Sequence, residues 1–175
     1  MELIYLRKLT DLDVTEEYLS WFATTEVNNY LDVKFLSKES ATKYIAEGFA
    51  SGSHFMYGIF LSDSDKHIGN CKIGPVNQIS KVADLVTVIG DSNYHRKGLG
   101  SLAIKLGSEL AFERYNIRKL SGRINSKNLG SVKAYLSAGW IIEGVLKDHD
   151  IRDGIISDLY CVSKFNQNFK IAFES

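Results

Sequence analysis

Proline is almost missing: Pro75 is the only one in 175 residues. There is also no Gly/Ser-rich stretch, no run of one charge sign, no internal repeat and no low-complexity tract. Nothing therefore marks a linker, and one domain over 1–175 is expected. Cysteine is nearly as scarce. Cys71 and Cys161 both have β-branched, strand-like surroundings, where a free cysteine behaves as a small core hydrophobe. A reducing compartment follows. Net charge is absent, with 21 Lys and Arg against 21 Asp and Glu. A chain living on nucleic acid or an anionic membrane is usually basic, so neither partner is expected. No apolar run approaches the roughly 20 residues that span a bilayer. Met1–Arg7 lacks the basic-then-apolar pattern of a secretory leader, which makes a cytoplasmic location the expectation.

What the chain does have is ordinary globular content, 45% apolar and 24% charged residues, enough for one sizeable core. Leu3–Arg7 reads as a strand. Asp13 with Glu16 three residues on reads as a capping box for a helix carrying Tyr18, Leu19, Trp21 and Phe22. Ser37 reads as the cap of a second helix with Ala41, Tyr44, Ile45 and Phe49. The period then shortens. His54–Leu61, His67–Ile73 and Ala83–Ile89 read as an antiparallel meander, the last strand apolar enough to be central. Past Gly100, Leu102, Ala103, Leu106, Leu110 and Ala111 form a helical stripe, followed by a strand through Leu120, Gly122 and Ile124. A short helix over Ser131–Ala138 ends at Gly139. Ile141–Leu146 and Ile155–Val162 close the chain around an Asp153–Gly154 turn. The expectation is an α/β domain with a mixed sheet whose parallel element is the strand–helix–strand from Ala83 to Ile124.

The most informative stretch joins the central strand to the long helix: Asp91-Ser92-Asn93-Tyr94-His95-Arg96-Lys97-Gly98-Leu99-Gly100-Ser101. Glycines admit close backbone approach, and a helix start presents unpaired N–H groups with about half a positive charge. His95, Arg96 and Lys97 add basic charge, so the loop suits a pyrophosphate, with a tight solvated turn as the bland alternative. A Walker loop fails because Lys97 precedes Gly98 instead of following the last glycine. A dinucleotide reading lacks its acidic ribose ligand, since that region is Ile117-Arg118-Lys119-Leu120.

At these residues the chain resembles the GCN-five-related N-acetyltransferase (GNAT) superfamily, in its ribosomal-protein amino-terminal (Rim-type) branch. The family's Gln/Arg-x-x-Gly-x-Gly/Ala motif is matched by His95-Arg96-Lys97-Gly98-Leu99-Gly100, departing at its first position. A second match is Asn125-Ser126-Lys127-Asn128-Leu129-Gly130-Ser131, continuing through Tyr135 to Gly139-Trp140. The resemblance implies a GNAT-like acyl-CoA N-acyltransferase fold, mixed and mostly antiparallel with helices on both faces. It implies acetyl-CoA as acyl donor, with His95 to Ser101 at its pyrophosphate and the Val88–Ile89 backbone along the pantetheine arm. Asn125, Asn128 and Ser131 would touch it or hold their loop; for Asn128, simple helix capping competes.

By the same resemblance Tyr135 is the acid that protonates the departing thiolate, against a plain core-aromatic reading. Asp84 is the candidate base, against an exposed strand carboxylate without a role. Asp148-His149-Asp150 has no further histidine at ligand spacing, so no metal is expected. The expected enzyme acetylates a primary amine of a small molecule, such as a nucleotide-linked amino sugar. A protein amino terminus is the alternative acceptor, a non-catalytic acyl-CoA-binding module or a dinucleotide enzyme more distant ones. A monomer or homodimer is expected.

Overall fold

Alternating and continuous apolar runs build one seven-stranded sheet in the order β1-β2-β3-β4-β5-β7-β6. The computed structural model describes residues 3–23 and 37–170. The strands are β1 (Ile4–Lys8), β2 (Phe55–Leu61), β3 (His67–Asn77) and β4 (Val82–Ile89), then β5 (Lys119–Asn125), β6 (Ile141–Arg152) and β7 (Ile155–Phe165). All pairs are antiparallel except β4 with β5. That crossover is made by the long helix, as right-handed strand–helix–strand units require.

The helices are α1 (Glu16–Trp21), α2 (Lys38–Ser51), α3 (Leu99–Tyr115) and α4 (Leu129–Ser137). Ser37 caps α2, its hydroxyl accepting from the Ser40 N–H at 3.1 Å, as its sequence predicts. The start of α1 differs from expectation. Arg7 and the Thr10 N–H both hold the Asp13 carboxylate at 2.8 Å, which puts the capping box on a 3-10 turn at Asp11–Asp13. Thr15 then caps α1, accepting from the Tyr18 N–H at 3.2 Å.

The closing hairpin runs longer than its apolar pattern indicates. The charged Lys147-Asp148-His149-Asp150 stretch breaks the alternation, and a register shift between Leu146 and Asp150 absorbs it. At the tip, Asp153 (φ 50°) and Gly154 (φ 74°) both take positive φ, as a two-residue turn matched to strand twist demands.

Two cores lie on opposite faces. Phe55 and Tyr57 of β2 join Ile73, Leu85, Ala103, Ile104 and Trp140 in one; Met56 between them joins Tyr18, Trp21, Ala41 and Ile45 in the other. Thus α3 and α4 cover one face, and α1 and α2 the other. Gly107 lets α3 lie directly on the sheet: a Cβ there would stand 2.6 Å from the Cys71 sulfur and 3.2 Å from Leu85. That contact fixes where the start of α3 sits relative to the end of β4. No helix among the described residues is long and apolar enough to cross a membrane.

Candidate active site

Parallel pairing of β4 with β5 stops almost as soon as it begins. Val82, Ala83 and Asp84 pair with Lys119, Leu120 and Ser121, and nothing beyond them pairs. β4 meanwhile follows β3 as far as Ile89, and β5 follows β7 as far as Asn125. The two strands therefore splay, leaving a wedge with strand backbone on both walls. A cleft of about 1360 Å³ fills it and reaches the start of α3.

At that end the chain makes a cradle. Arg96 (φ 59°) and Gly98 (φ 77°) are both left-handed, and Gly98 is the N-cap of α3 without a side-chain cap. The first-turn N–H groups of Leu99, Gly100 and Ser101 thus face outward with the positive end of a 17-residue helix behind them. A Cβ built on Gly98 or Gly100 would meet nothing within 4 Å. The space in front of these amides is open, as a pyrophosphate needs.

The basic side chains of this loop divide. The His95 ring is spent on the backbone, its Nε2 lying 2.9 Å from the Ile89 carbonyl. Arg96 is exposed and lines the cleft. Lys97 sets its ammonium over the Tyr94 ring, 4.9 Å from the centroid, and lies outside the cleft lining, unlike its neighbours in the motif. Leu99 is buried in the core and Ser101 lines the cleft. Asp91 anchors the loop, accepting from Lys66 at 2.6 Å and from the Asn93 N–H at 2.9 Å. Burial pushes the Asp91 carboxyl upward, but the Lys66 and Asn93 hydrogen bonds outweigh it and hold it below the usual aspartate value.

Tyr135, on α4, reaches into the wedge from the α3 side. Its hydroxyl donates to the Leu85 carbonyl at 2.7 Å, one residue past the last β4–β5 pair. Its ring meets Trp140 edge-on with centroids 4.8 Å apart, and Trp140 Nε1 donates to Ser108 of α3 at 3.1 Å. Burial pushes the Tyr135 hydroxyl well above the ordinary tyrosine value. The residue is both core-packed and cleft-lining, so its two sequence readings are compatible.

Asp84 sits at the vertex of the wedge on the opposite face. Leu85 faces Gly107 of α3, so its neighbour Asp84 points away. The Ser121 hydroxyl donates to the Asp84 carboxylate from β5. Val88 shares that face and packs against the α1–α2 core, while the carbonyl of Ile89 is already occupied by His95.

The asparagines are structural in their side chains. Asn125 donates to Asp150 and Ser157, both at 2.7 Å, and accepts from the Lys127 N–H at 2.8 Å, which leaves its amide saturated. Asn128 caps α4, accepting from the Ser131 N–H at 3.1 Å, so the capping reading describes it. Ser131 lines the cleft. Asp150 also accepts from Arg152, and the Asp148 N–H donates to Asp158, so this acidic stretch is tied into the hairpin.

Among the cleft residues that the sequence does not single out are Ser121, Arg123 and Cys161. The polar alternation Ser121, Arg123, Asn125 along β5 was the available signal. Cys161 is half-buried on the strand beside them and not in the core, whereas Cys71 is buried as expected.

Comparison with known proteins agrees with this geometry. A family model described as an acetyltransferase (GNAT) domain matches residues 4–141. An uncharacterized N-acetyltransferase, p20, of Bacillus licheniformis is 22% identical over 97% of this chain and 99% of its own length. A probable N-acetyltransferase, YjcK, of Bacillus subtilis is also 22% identical, over 89% of this chain and 90% of its own. Among solved structures, ribosomal-protein-S5-alanine acetyltransferase from Vibrio fischeri superposes with TM-score 0.84 at 18% identity, covering 98% of this chain and 97% of that one. Spermidine N-acetyltransferase from Vibrio cholerae, in complex with CoA and spermine, gives 0.84 at 16% identity, covering 95% and 98%.

Proposed function

This chain belongs to the GNAT acetyltransferase family, and from that premise we propose that it transfers acetyl from acetyl-CoA to the primary amine of a small molecule, such as a nucleotide-linked amino sugar. The observation that carries the reading is the wedge itself: strand backbone left unpaired past Asp84, leading to the bare amides at Gly98–Ser101. Acetyl-CoA supplies the acyl group as a thioester. The N–H groups of Leu99, Gly100 and Ser101 hold its pyrophosphate, with Arg96 adding charge at the rim. His95 braces the loop through Ile89, so the Val88 backbone is the first to receive the pantetheine amides. Asn125 and Asn128 hold the far wall, and Ser131 faces the cofactor across it.

The reacting groups enter from opposite sides of the sheet. Asp84, steadied by Ser121, faces the amine and takes its proton directly or through a water. Tyr135 faces the departing sulfur from the α4 side and gives it a proton. Neither side chain crosses the other's path, which lets both substrates sit in the wedge together.

The test is coenzyme-A thiol release over a panel of amines, run beside a thermal-shift titration. At a hundredfold excess over its dissociation constant, acetyl-CoA adds about 2.7 kcal/mol. For a chain of this size that raises the melting temperature by about 5–11 °C. No shift with acetyl-CoA or CoA would sink the cofactor assignment. A shift without release on any amine would make the protein an acyl-CoA-binding module, and release on peptide amino termini alone would move the acceptor to protein.

A further inference from the structure

The sheet face that carries Asp84 also carries Arg123, whose guanidinium has no partner among the described residues. Ser121 shares a face with Asp84 because it hydrogen-bonds to it. Arg123 lies two residues further along β5 and so points the same way, about 6.6 Å on toward the open end of the wedge. Gly122 between them faces the other core, where a Cβ would meet Val162, Leu85 and Trp140.

On the β5–β6–β7 part of this face two other pairs of charges are matched. Glu143 takes Lys119 at 2.8 Å, and Asp150 takes Arg152 at 3.2 Å. Arg123 is exposed and lines the cleft, and its side chain makes no hydrogen bond or ion pair among the described residues. Asp84 has Ser121 but no cation among them. A carboxylate and a guanidinium, neither in an ion pair among the described residues, thus share one wall of the wedge, Arg123 two residues past the Ser121 that pairs with Asp84.

We propose that the acceptor is a zwitterionic amine: Asp84 takes its nitrogen end, and Arg123 binds an oxyanion, carboxylate or phosphate, on the same molecule. This rests on the acetyl-transfer reading above and narrows its substrate class. A guanidinium suits either anion because its planar fork pairs with two oxygens at once. The same cation repels a second positive charge on the acceptor, so polyamines are disfavoured here. Arg123 acts as a specificity residue that touches substrate, with no part in the proton transfers.

The experiment compares matched amines by initial rate of CoA release: O-phosphoethanolamine against ethanolamine, glycine against glycinamide, glucosamine 6-phosphate against glucosamine, and putrescine as the dication. The anionic member of at least one pair should have the higher kcat/KM by about 10–100-fold, the worth of one charge-assisted hydrogen bond. The phosphate and carboxylate pairs tell the two oxyanions apart. Arg123→Met keeps the aliphatic stem and should bring that ratio close to one, mainly through KM. Arg123→Lys should restore part of it. CoA affinity in each variant serves as the check on folding.

Preference for the neutral members or for putrescine would overturn the proposal, as would a ratio that survives Arg123→Met. If CoA binds but no amine turns over, the acetyl-transfer reading falls first. Calorimetric binding of the same amines to the CoA-loaded protein then decides the acceptor question. Tighter binding of anionic amines that Arg123→Met abolishes upholds it, and equal binding of both members of every pair refutes it.

Discussion

Replacing Tyr135 with phenylalanine removes one oxygen and leaves the ring against Trp140. The hydroxyl makes one defined bond, to the Leu85 carbonyl at 2.7 Å. Losing a bond of this kind costs about 0.5–1.5 kcal/mol, rising to about 1–3 kcal/mol if the acceptor is left buried and unsatisfied. Leu85 is almost wholly buried, which places the cost toward the upper part of that range. At about 2–4 °C per kcal/mol for a chain of this length, the melting temperature should fall by about 3–10 °C. The catalytic effect is of another size. A thiol titrates near 8.5 and a tyrosine near 10, so the proton transfer is uphill by about 2 kcal/mol in water. Burial raises the Tyr135 hydroxyl, yet a thiolate in the same wedge loses its water too, so the gap does not simply widen. Loss of a positioned acid costs about 10²–10⁴-fold in rate. The assay is single-turnover thiol release with both substrates saturating, so that product release does not hide the chemical step. Acetyl-CoA affinity is measured in parallel and should change little, because a thioester sulfur accepts hydrogen bonds weakly. A Tyr135→Phe protein that loses stability but keeps the wild-type single-turnover rate would reduce Tyr135 to packing and leave the proton to a water.

Gly100→Val should raise the CoA dissociation constant at least tenfold while leaving the ligand-free melting temperature nearly unchanged. Gly100 lacks a positive φ and has open space around it, so the branches fill only the pyrophosphate position; unchanged affinity would make the loop an ordinary turn. Asp84→Asn keeps an acceptor for Ser121 but removes the base, and should lower turnover by about 10²-fold with CoA affinity intact. Equal rates for the two proteins from pH 6 to pH 9 would dismiss Asp84 as base. Asp91 is held below its usual range, so its contribution to stability is full above about pH 4, the unfolded aspartate value, and is lost as pH falls through its folded value. Lys66→Met removes one cause of that depression and should move the acid-unfolding midpoint to higher pH, read by circular dichroism; an unmoved midpoint would show that Asn93 and the Asp91 backbone setting suffice.

Much of the architecture was legible because its signals are local. The change of apolar period at His54, the return to helix past Gly100, and the Ser37, Asn128 and Gly139 caps each depend on a few adjacent residues. The box at Asp13 misled because Arg7 and Thr10, residues before it in the chain, compete for the same carboxylate. The cradle was legible as Gly98-Leu99-Gly100, but which glycine carries positive φ was not; it is Gly98. His95 reads as a cofactor contact, and Asn125 and Asn128 as contacts or as braces of their loop, because polar residues in a motif read alike whether they face outward or hold the fold. Only the hydrogen bonds to Ile89, Asp150, Ser157 and Ser131 separate the two. Arg123 was hidden for the opposite reason. Its meaning lies in what surrounds it, and its sheet partner Cys161, like the Asp84 that pairs with Ser121 two residues before it, is far away in sequence.

Three residue pairs join the two halves of the sheet, β1 to β4 on one side and β5 with the closing hairpin on the other. Mechanically that is a short hinge. A ligand laid along the wedge stands where a longer run of interstrand bonds would be, so it works as a mortar between two slabs. Stiffness of the whole molecule then becomes a property of occupancy. The wedge-facing backbone amides of β4 beyond Asp84 and of β5 beyond Ser121 should exchange with solvent deuterium faster than those nearer the hinge when the wedge is empty, and slow together when CoA fills it.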